Sequence, residues 1–267
     1  MALIAHELKA SYAFIERNFF LSRRYWGWEI AFLVYSAAGA LSISLIGAQA
    51  GDPRLLLTLM VGAIFWNYLS VVFSWIAETI AIERWEGTLE YTMMAPIRRS
   101  THLLGAVAYA MIYGLIHTAA ILLAVVLFFP DLSFAQANLG TVAGFMVLGS
   151  FSFVGIAMLA AILPLLFVER GAQMAFVMQS VLLLVSGVYY TIDVLPGWMQ
   201  VISWFSPATY ALDGVRAGLI DGVPLTALWA DIWPLIIMGT LFIPFGLWAF
   251  GRAERYAKRT GKLKRVG

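Results

Sequence analysis

The sequence lacks two things that soluble proteins normally have. It contains no cysteine, which excludes disulfide bridges, cysteine-ligated metals and thiol chemistry. Only 12% of its 267 residues are charged, whereas an average soluble domain has about 25%. With 62% hydrophobic residues and a mean hydropathy of +0.85, the chain has too little polar surface to cover a soluble fold of this length. We therefore predict an integral membrane protein.

The N-terminal region does not resemble a cleavable signal peptide. Residues 6–25 carry acidic and basic residues throughout, without a short apolar core and a small-residue cleavage site. Hydrophobic residues recur there at helical spacing, at Leu8, Tyr12, Ile15 and Phe19. This pattern is typical of an amphipathic helix lying in the membrane interface. A short juxtamembrane tail is the alternative interpretation.

Six stretches qualify as membrane spans, since a spanning helix needs about 20 mainly apolar residues. They lie at about 29–47, 55–77, 103–129, 139–167, 174–192 and 232–250. Lipid offers the backbone no hydrogen-bond partner, so each stretch is predicted to be helical. Pro164 and Pro244 predict kinks in the fourth and sixth spans.

The basic residues orient these spans. If both termini are cytoplasmic, every Lys and Arg except Arg54 and Arg216 lies on the inner side. A strong excess of positive charge on the cytoplasmic side is the usual arrangement of membrane proteins. The sequence therefore predicts an all-α, multi-pass fold with both termini in the cytoplasm. The basic tail after residue 251 acts as a topology signal, with binding of anionic membrane lipids as the alternative.

The predicted spans contain almost no ionisable side chains. His117 is the only one near the centre of a span, which argues against ion-coupled transporters and voltage sensors because these carry charges within the membrane. We interpret His117 as a packed residue, with a proton carrier as the alternative. Asn67 and Gln179 are interpreted as interhelical hydrogen-bonding residues, with a place in a transport pathway as the alternative.

The chain also has no nucleotide site of its own. The phosphate-loop pattern G-x-x-x-x-G-K-[ST] is absent, and the Gly261-Lys262 pair is followed by Leu263. The three histidines, His6, His102 and His117, lack metal-ligand spacing. No catalytic residue, metal or cofactor is therefore predicted in this chain. Energy for any pumping has to come from a partner protein.

A long polar segment between the second and third spans is the predicted place for such a partner. Residues 78–105 are longer than a simple connector needs. We predict a short helix with an acidic face formed by Glu86 and Glu90, one turn apart, and adaptable apolar surface from Met93 and Met94. An inert connector is the alternative.

Part of this segment resembles the type-2 ABC exporter permease family. Glu83-Arg84-Trp85-Glu86-Gly87-Thr88-Leu89-Glu90, followed by Ala95-Pro96, is similar to the E-R-x-x-G-T-L-E … P segment of that family. The resemblance implies that residues 83–96 form a cytoplasmic coupling helix region that contacts an ATPase subunit. The residues assigned to this contact are Glu83, Arg84, Glu86, Gly87, Thr88, Leu89 and Glu90.

A second match lies in the outer segment, residues 187–222. This segment is too apolar for a free loop yet rich in helix breakers, which predicts broken, re-entrant helices in the outer leaflet. Asp213 and Arg216, three residues apart, are predicted to pair. The family signature is similar at Pro196, Gly197, Pro207, Tyr210 and Arg216, although Ala208 is smaller than the residue often found there. An outer gate or lateral exit and a structural plug are equally supported interpretations.

Taken over the whole chain, the resemblance implies a single permease domain, residues 1–267, in the inner (cytoplasmic) membrane. Its expected fold combines the interface helix, six transmembrane helices, the coupling helix and the re-entrant helices. The implied activity is export of hydrophobic or amphipathic cargo, such as a drug, antibiotic or lipid. The implied partners are two copies of an ABC-type ATPase, which carry the ATP and Mg, and a second permease, identical or paralogous. Nucleic acid is not an expected partner.

Two other functions stay open from the sequence. A polysaccharide or glycolipid exporter would use the many aromatic residues for stacking against sugars. A membrane scaffold or sensor would transport nothing itself.

Overall fold

The structure, a computed structural model, describes residues 2–130, 132, 134–167 and 169–263, with backbone only for residues 2–6, 8 and 99. The side chains of His6 and Leu8 and the end of the basic tail after residue 263 lie outside this description. Within it the chain folds into eleven α-helices and two short 3-10 turns, without strands. The helices are α1 Ala2–Arg24, α2 Trp26–Gln49, α3 Pro53–Trp85, α4 Leu89–Met94, α5 Arg99–Phe128, α6 Leu139–Ala160, α7 Ile162–Leu166, α8 Gly171–Val185, α9 Gly197–Ser203, α10 Pro207–Leu219 and α11 Trp229–Arg259.

Five segments of the described chain are long and apolar enough to cross a membrane. They are Trp26–Gln49, Pro53–Trp85, Ser100–Phe128, Leu139–Leu166 and Trp229–Arg259. The prediction of an all-helical, multi-pass membrane protein is thereby confirmed. The remaining predicted span, 174–192, corresponds to α8, which has 15 residues. At 1.5 Å per residue α8 is about 22 Å long, shorter than a hydrocarbon core of about 30 Å. The layout with six spans therefore stays a prediction.

Helix α3 occupies the centre of the bundle. It packs against α2, α5, α6, α8 and α10. Its side chains Tyr68, Leu69 and Phe73 are fully buried, and the Tyr68 hydroxyl lies 2.7 Å from Ser150 Oγ in α6. Because α3 has neighbours on nearly every side, it fixes the relative positions of the helices that surround it.

Small residues bring α6 and α11 close together. A Cβ atom at Gly155 would lie 2.3 Å from the Phe242 backbone, and one at Gly246 would lie 2.7 Å from the Gly155 carbonyl oxygen. No side chain larger than hydrogen fits at either place. Membrane helices commonly associate in this way, because lipid is as apolar as the helices and supplies no hydrophobic force between them.

Proline affects the two predicted kink positions differently. The fourth span is interrupted at Ala161, between α6 and α7, three residues before Pro164. Pro164 has no N–H to donate to the carbonyl of Ala160, so the break has a direct cause. In contrast, α11 is continuous past Pro234 and Pro244. A bend at Pro244 stays a prediction.

The connection between the helices of the second and third predicted spans is shorter than the sequence suggested. Helix α3 continues to Trp85 and α5 begins at Arg99, so residues 86–98 rather than 78–105 form the connection. Glu78 and Glu83 therefore lie within α3. A charged residue at the end of an apolar run ordinarily predicts a loop. Here the helix continues because Glu78 lines a cavity and Glu83 forms an ion pair with Arg17.

Helix α1 packs along the N-terminal half of α5. Ser11 Oγ donates to the Thr101 carbonyl at 3.2 Å, and Ser22 Oγ lies 2.6 Å from the Tyr109 hydroxyl. The opposite side of α1 exposes Tyr12 and Phe19, which are 66% and 58% exposed. This apolar exposed side suits a membrane surface, although the placement of α1 in the interface stays a prediction.

Candidate functional site

A cavity of about 680 Å³ opens between α2, α3, α5 and α8, with the end of α1 at its mouth. Helix α3 supplies the polar part of its wall. Asn67, Ser70, Ser74 and Glu78 all line the cavity. Their spacing of three, four and four residues places them on one face of the helix. A polar face on a membrane helix is unusual and typically marks a pathway for a solute.

The three polar residues singled out in the spans meet in this cavity. Asn67, His117 and Gln179 line it from α3, α5 and α8 respectively. Gln179 Oε1 accepts a hydrogen bond from Ser74 Oγ at 3.3 Å, so it joins α8 to α3. Within the described chain, Asn67 Oδ1 and both ring nitrogens of His117 have no hydrogen-bond partner. The cavity thus holds buried polar atoms that the protein itself leaves unsatisfied.

Aromatic rings make up much of the remaining wall. On α5, Tyr109, Tyr113 and His117 follow at four-residue steps, and the rings of Tyr113 and His117 stack at 5.6 Å. Trp75 of α3 packs edge-on against this row, with ring centroids 4.9 Å from Tyr109 and 5.2 Å from Tyr113. Further rings line the cavity from α2, α3 and α8 and from the residues that follow α1 and α8, namely Trp28, Phe32, Tyr35, Trp66, Trp85, Phe176, Tyr25 and Tyr189.

Two acidic residues of the cavity were missed by the sequence reasoning. Glu29 of α2 and Glu78 of α3 both line it, toward the end where α1 meets α2. Glu29 accepts a hydrogen bond from the Tyr113 hydroxyl. A signal for Glu78 was present, because it continues the step from Asn67 through Ser70 and Ser74 along one helix face. For Glu29 the sequence offers no comparable pattern.

Next to the mouth of the cavity, the predicted coupling residues form a tightly bonded junction, here called the Glu83 junction (residues 83–98 and the parts of α1, α5, α7 and the tail that contact them). Glu83 is its centre and is 1% exposed. Its Oε1 lies 2.7 Å from Arg17 Nη2 of α1 and 2.8 Å from His102 Nε2 of α5. A single carboxylate therefore joins three helices.

Arg84 makes a second set of bonds in the junction. Its guanidinium donates to the Leu165 carbonyl at 2.9 Å and to the Lys262 carbonyl at 2.7 Å. Lys258 of α11 donates to the Met93 carbonyl at the end of α4, at 3.1 Å. These bonds tie the C-terminal tail to the connection. Because Glu83 and Arg84 are both buried within the chain, they would act on a partner protein only indirectly, through the helices that they join.

The turn between α3 and α4 separates two acidic residues that were expected to share a face. Gly87 has a φ of 74°, a conformation that other residues rarely adopt, and it ends α3. Glu86 lies before this turn, 3.5 Å from Arg24 and 3.4 Å from the Tyr25 hydroxyl. Glu90 lies after it, in α4. The predicted acidic face of Glu86 and Glu90 is therefore wrong.

Helix α4 has one buried and one exposed side. Leu89 and Met93 are each 1% exposed and pack into the bundle. Tyr91 and Met94 are 74% and 72% exposed, next to the exposed Glu90. Of the two methionines predicted to offer surface, only Met94 does so. Thr88 precedes α4, and its N–H donates to the Glu83 carbonyl at 2.8 Å.

The outer segment forms short helices that pack onto the bundle. Pro196 and Gly197 begin α9, and Pro207 begins α10. Proline suits a helix start because its missing N–H would be unbonded there anyway. The Tyr210 hydroxyl donates to the Trp204 carbonyl at 3.0 Å, which holds α9 and α10 together. The depth of these helices in the membrane stays a prediction.

Arg216 connects the outer segment to the cavity. Its guanidinium donates to the Val188 carbonyl at 2.7 Å and to the Gly187 carbonyl at 3.3 Å. The predicted pairing with Asp213 is confirmed but looser, at 3.9 Å. The next residue, Tyr189, lines the cavity. Arg216 thus fixes the turn that precedes Tyr189 at this end of the cavity.

Comparison with known proteins shows the family to which the chain belongs. A family model described as "ABC-2 type transporter" matches residues 11–220. "Probable multidrug ABC transporter permease YbhR" of Escherichia coli (strain K12) is 27% identical over 164 residues, which cover 60% of this chain and 43% of that relative. The protein of the same name from Escherichia coli O157:H7 is similar to the same extent. The chain thus matches less than half the length of these curated relatives. Since the family model matches most of the sequence, the chain belongs to the ABC-2 type transporter family.

Proposed function

We propose that the chain is the permease subunit of an exporter driven by separate ATPase subunits, and that it moves hydrophobic or amphipathic cargo outward. The observation that carries this proposal is the cavity, whose polar face runs along α3 and ends just above α4. A movement of α4 imposed by a partner would act on α3 directly. The multidrug permease named among the relatives points to the same class of cargo.

The proposed layout has six spans, with α8 as the fifth. A Cβ at Gly171, where α8 begins, would lie 2.3 Å from the Pro164 Cα near the Glu83 junction. The turn after α8 reaches Arg216 at the opposite end. Residues 186–192 and the outer helices α9 and α10 would complete the crossing. Both termini would then be cytoplasmic, in the inner membrane.

The exposed side of α4 is the proposed contact for the ATPase. Glu90, Tyr91 and Met94 are available there, whereas Glu83, Arg84 and Leu89 support the helix from inside. ATP and Mg would bind to the partner, in two copies, and closure of those subunits would push α4 and α1. A second permease would cover the open side of the cavity, where α2 has few buried residues. The outer segment would act as the gate.

Affinity purification of the chain from its native membrane in mild detergent tests the proposal. We expect a soluble subunit with phosphate-loop motifs to copurify in stoichiometric amount. A paralogous permease in the same sample would identify a heterodimer. Purification without any ATPase under several gentle conditions would contradict the proposal and favour a scaffold or sensor.

A polysaccharide or glycolipid exporter is the second candidate, and the aromatic wall favours it. Trp28, Trp66, Trp75 and Trp85 all line the cavity, and tryptophan stacks well against sugar rings. The copurified complex distinguishes the two cargoes. Stimulation of ATP hydrolysis by lipophilic drugs but not by lipid-linked glycans supports the first proposal, and the reverse supports the second.

A further inference from the structure

The cavity is lined by two carboxyl groups, those of Glu29 and Glu78, and, among the described residues, by no basic residue of lysine or arginine type. Glu29 has the Tyr113 hydroxyl as its partner. Glu78 has neither a hydrogen-bond partner nor an ion-pair partner in the described part of the chain. A carboxylate withdrawn from bulk water without a partner is costly, so a cationic group in the cavity would be bound favourably.

Aromatic rings line the cavity on the same helix face as this carboxylate. Trp75 precedes Glu78 by three residues, and Trp85 follows it by seven, so all three lie on one side of α3. Trp28 lines the mouth from α2. The face of a tryptophan ring attracts cations, and this attraction adds to that of a neighbouring carboxylate.

Deeper in the cavity, buried polar atoms without hydrogen-bond partners indicate that the ligand extends beyond its charged group. His117 is 7% exposed and lines the cavity, with both ring nitrogens unpartnered among the described residues. Asn67 Oδ1 and Ser70 Oγ are likewise unpartnered there. Along α3, Asn67 lies roughly 16 Å from Glu78 at 1.5 Å per residue. The cavity therefore suits an elongated molecule that has a cationic end near the mouth.

We propose that the cavity binds amphipathic organic cations, with the positive charge beside Glu78 and the apolar or aromatic body between α3, α5 and α8. Glu29 adds to the negative potential at the mouth. That the bound cation is the exported cargo rests on the proposed function. The binding itself does not depend on the ATPase.

Two probes of nearly equal size and opposite charge test the inference. The chain is purified into nanodiscs of neutral lipid, and binding of tetraphenylphosphonium and of tetraphenylborate is measured by calorimetry, with empty nanodiscs subtracted. We expect saturable binding of the cation and none of the anion beyond the lipid background. Glu78→Gln is expected to weaken cation binding about tenfold, the size of a close charge pair shielded from water. Glu78→Asp keeps the charge and is expected to restore most of the affinity.

Matched variants separate charge from structure. Glu29→Gln is expected to weaken cation binding less than Glu78→Gln, and Glu169→Gln, an exposed acid outside the cavity, is expected to change nothing. Equal binding of both probes, no saturable binding of either, or unchanged cation affinity in both Glu29→Gln and Glu78→Gln would overturn the inference. ATPase copurification and export are measured separately, so an exporter with no preference for cations would leave the proposed function intact.

Discussion

Glu83 and Glu90 belong to the same sequence motif but lie in opposite environments. Glu83 is buried between Arg17 and His102, whereas Glu90 is exposed on α4 and has no ion-pair partner among the described residues. Removing one member of a buried pair leaves the other charge without compensation and is strongly destabilising. Removing an exposed carboxylate costs little. Substitution of Glu90 is therefore a matched control for substitution of Glu83.

We predict that Glu83→Ala lowers the free energy of unfolding by about 3 kcal/mol, because Arg17 and His102 lose their shared partner. Glu90→Ala should change it by less than about 0.5 kcal/mol. Thermal unfolding of both variants in the same detergent, followed by intrinsic fluorescence, checks this. Equal melting temperatures for the two variants would show that Glu83 does not hold α1, α3 and α5 together.

Sequence reasoning located some site residues and missed others for physical reasons. Asn67, His117 and Gln179 stood out because a polar side chain within a span is costly, and all three line the cavity. Glu78 did not stand out, because it follows an apolar run at a position where charge is ordinarily exposed. The Arg17–Glu83–His102 contact joins three helices distant in sequence. Pairing of this kind depends on packing that no local pattern encodes.

At the scale of elements, the helices were easier to predict than their ends. Hydropathy located five spans, but α3 and α11 extend well past the apolar stretches. Their ends are amphipathic, and there hydrogen bonding within the helix and contacts in the Glu83 junction outweigh the drop in hydropathy. In the connection, Gly87 indicated a bend but not that Glu86 would lie outside α4, beside Arg24 and Tyr25.

Helix α4 is the element that we predict to contact the ATPase. The double variant Tyr91→Ala and Met94→Ala removes its exposed apolar surface but leaves Leu89 and Met93 in the core, so the fold should be retained. We expect the amount of copurified ATPase to fall about tenfold or more, since aromatic and methionine anchors carry much of the energy of an interface. Quantitative mass spectrometry of the purified complex measures it.

The control for this prediction uses equally exposed residues at the other end of the bundle. Leu127 and Val194 are 74% and 69% exposed, and the double variant Leu127→Ala and Val194→Ala should copurify the ATPase normally. An equal loss in both double variants would indicate a general effect on expression or folding. Normal copurification in the α4 variant would place the contact elsewhere.

At the scale of the whole molecule, polar contacts define two ends. Arg54 pairs with Asp221 at 3.1 Å, and the Asn138 N–H donates to the Gly218 carbonyl at 2.8 Å, so three loops meet at one end. The Glu83 junction gathers residues 83–98, Leu165 and the tail at the other end. The cavity extends from that junction toward Tyr189.

Six helices cross the membrane only if the two ends of α8 lie on opposite sides of it. Because the chain contains no cysteine, a single introduced cysteine can report the side on which each end lies. We predict that Asp193→Cys, after α8, reacts with a membrane-impermeant maleimide in intact cells. Glu169→Cys, before α8, should react only after permeabilisation. Both positions are exposed, so a lack of access would reflect the membrane rather than burial. Arg54→Cys and Glu90→Cys serve as the outer and inner references. Labelling of residues 169 and 193 from the same side would mean that α8 does not cross, and the layout with five spans would put the two termini on opposite sides.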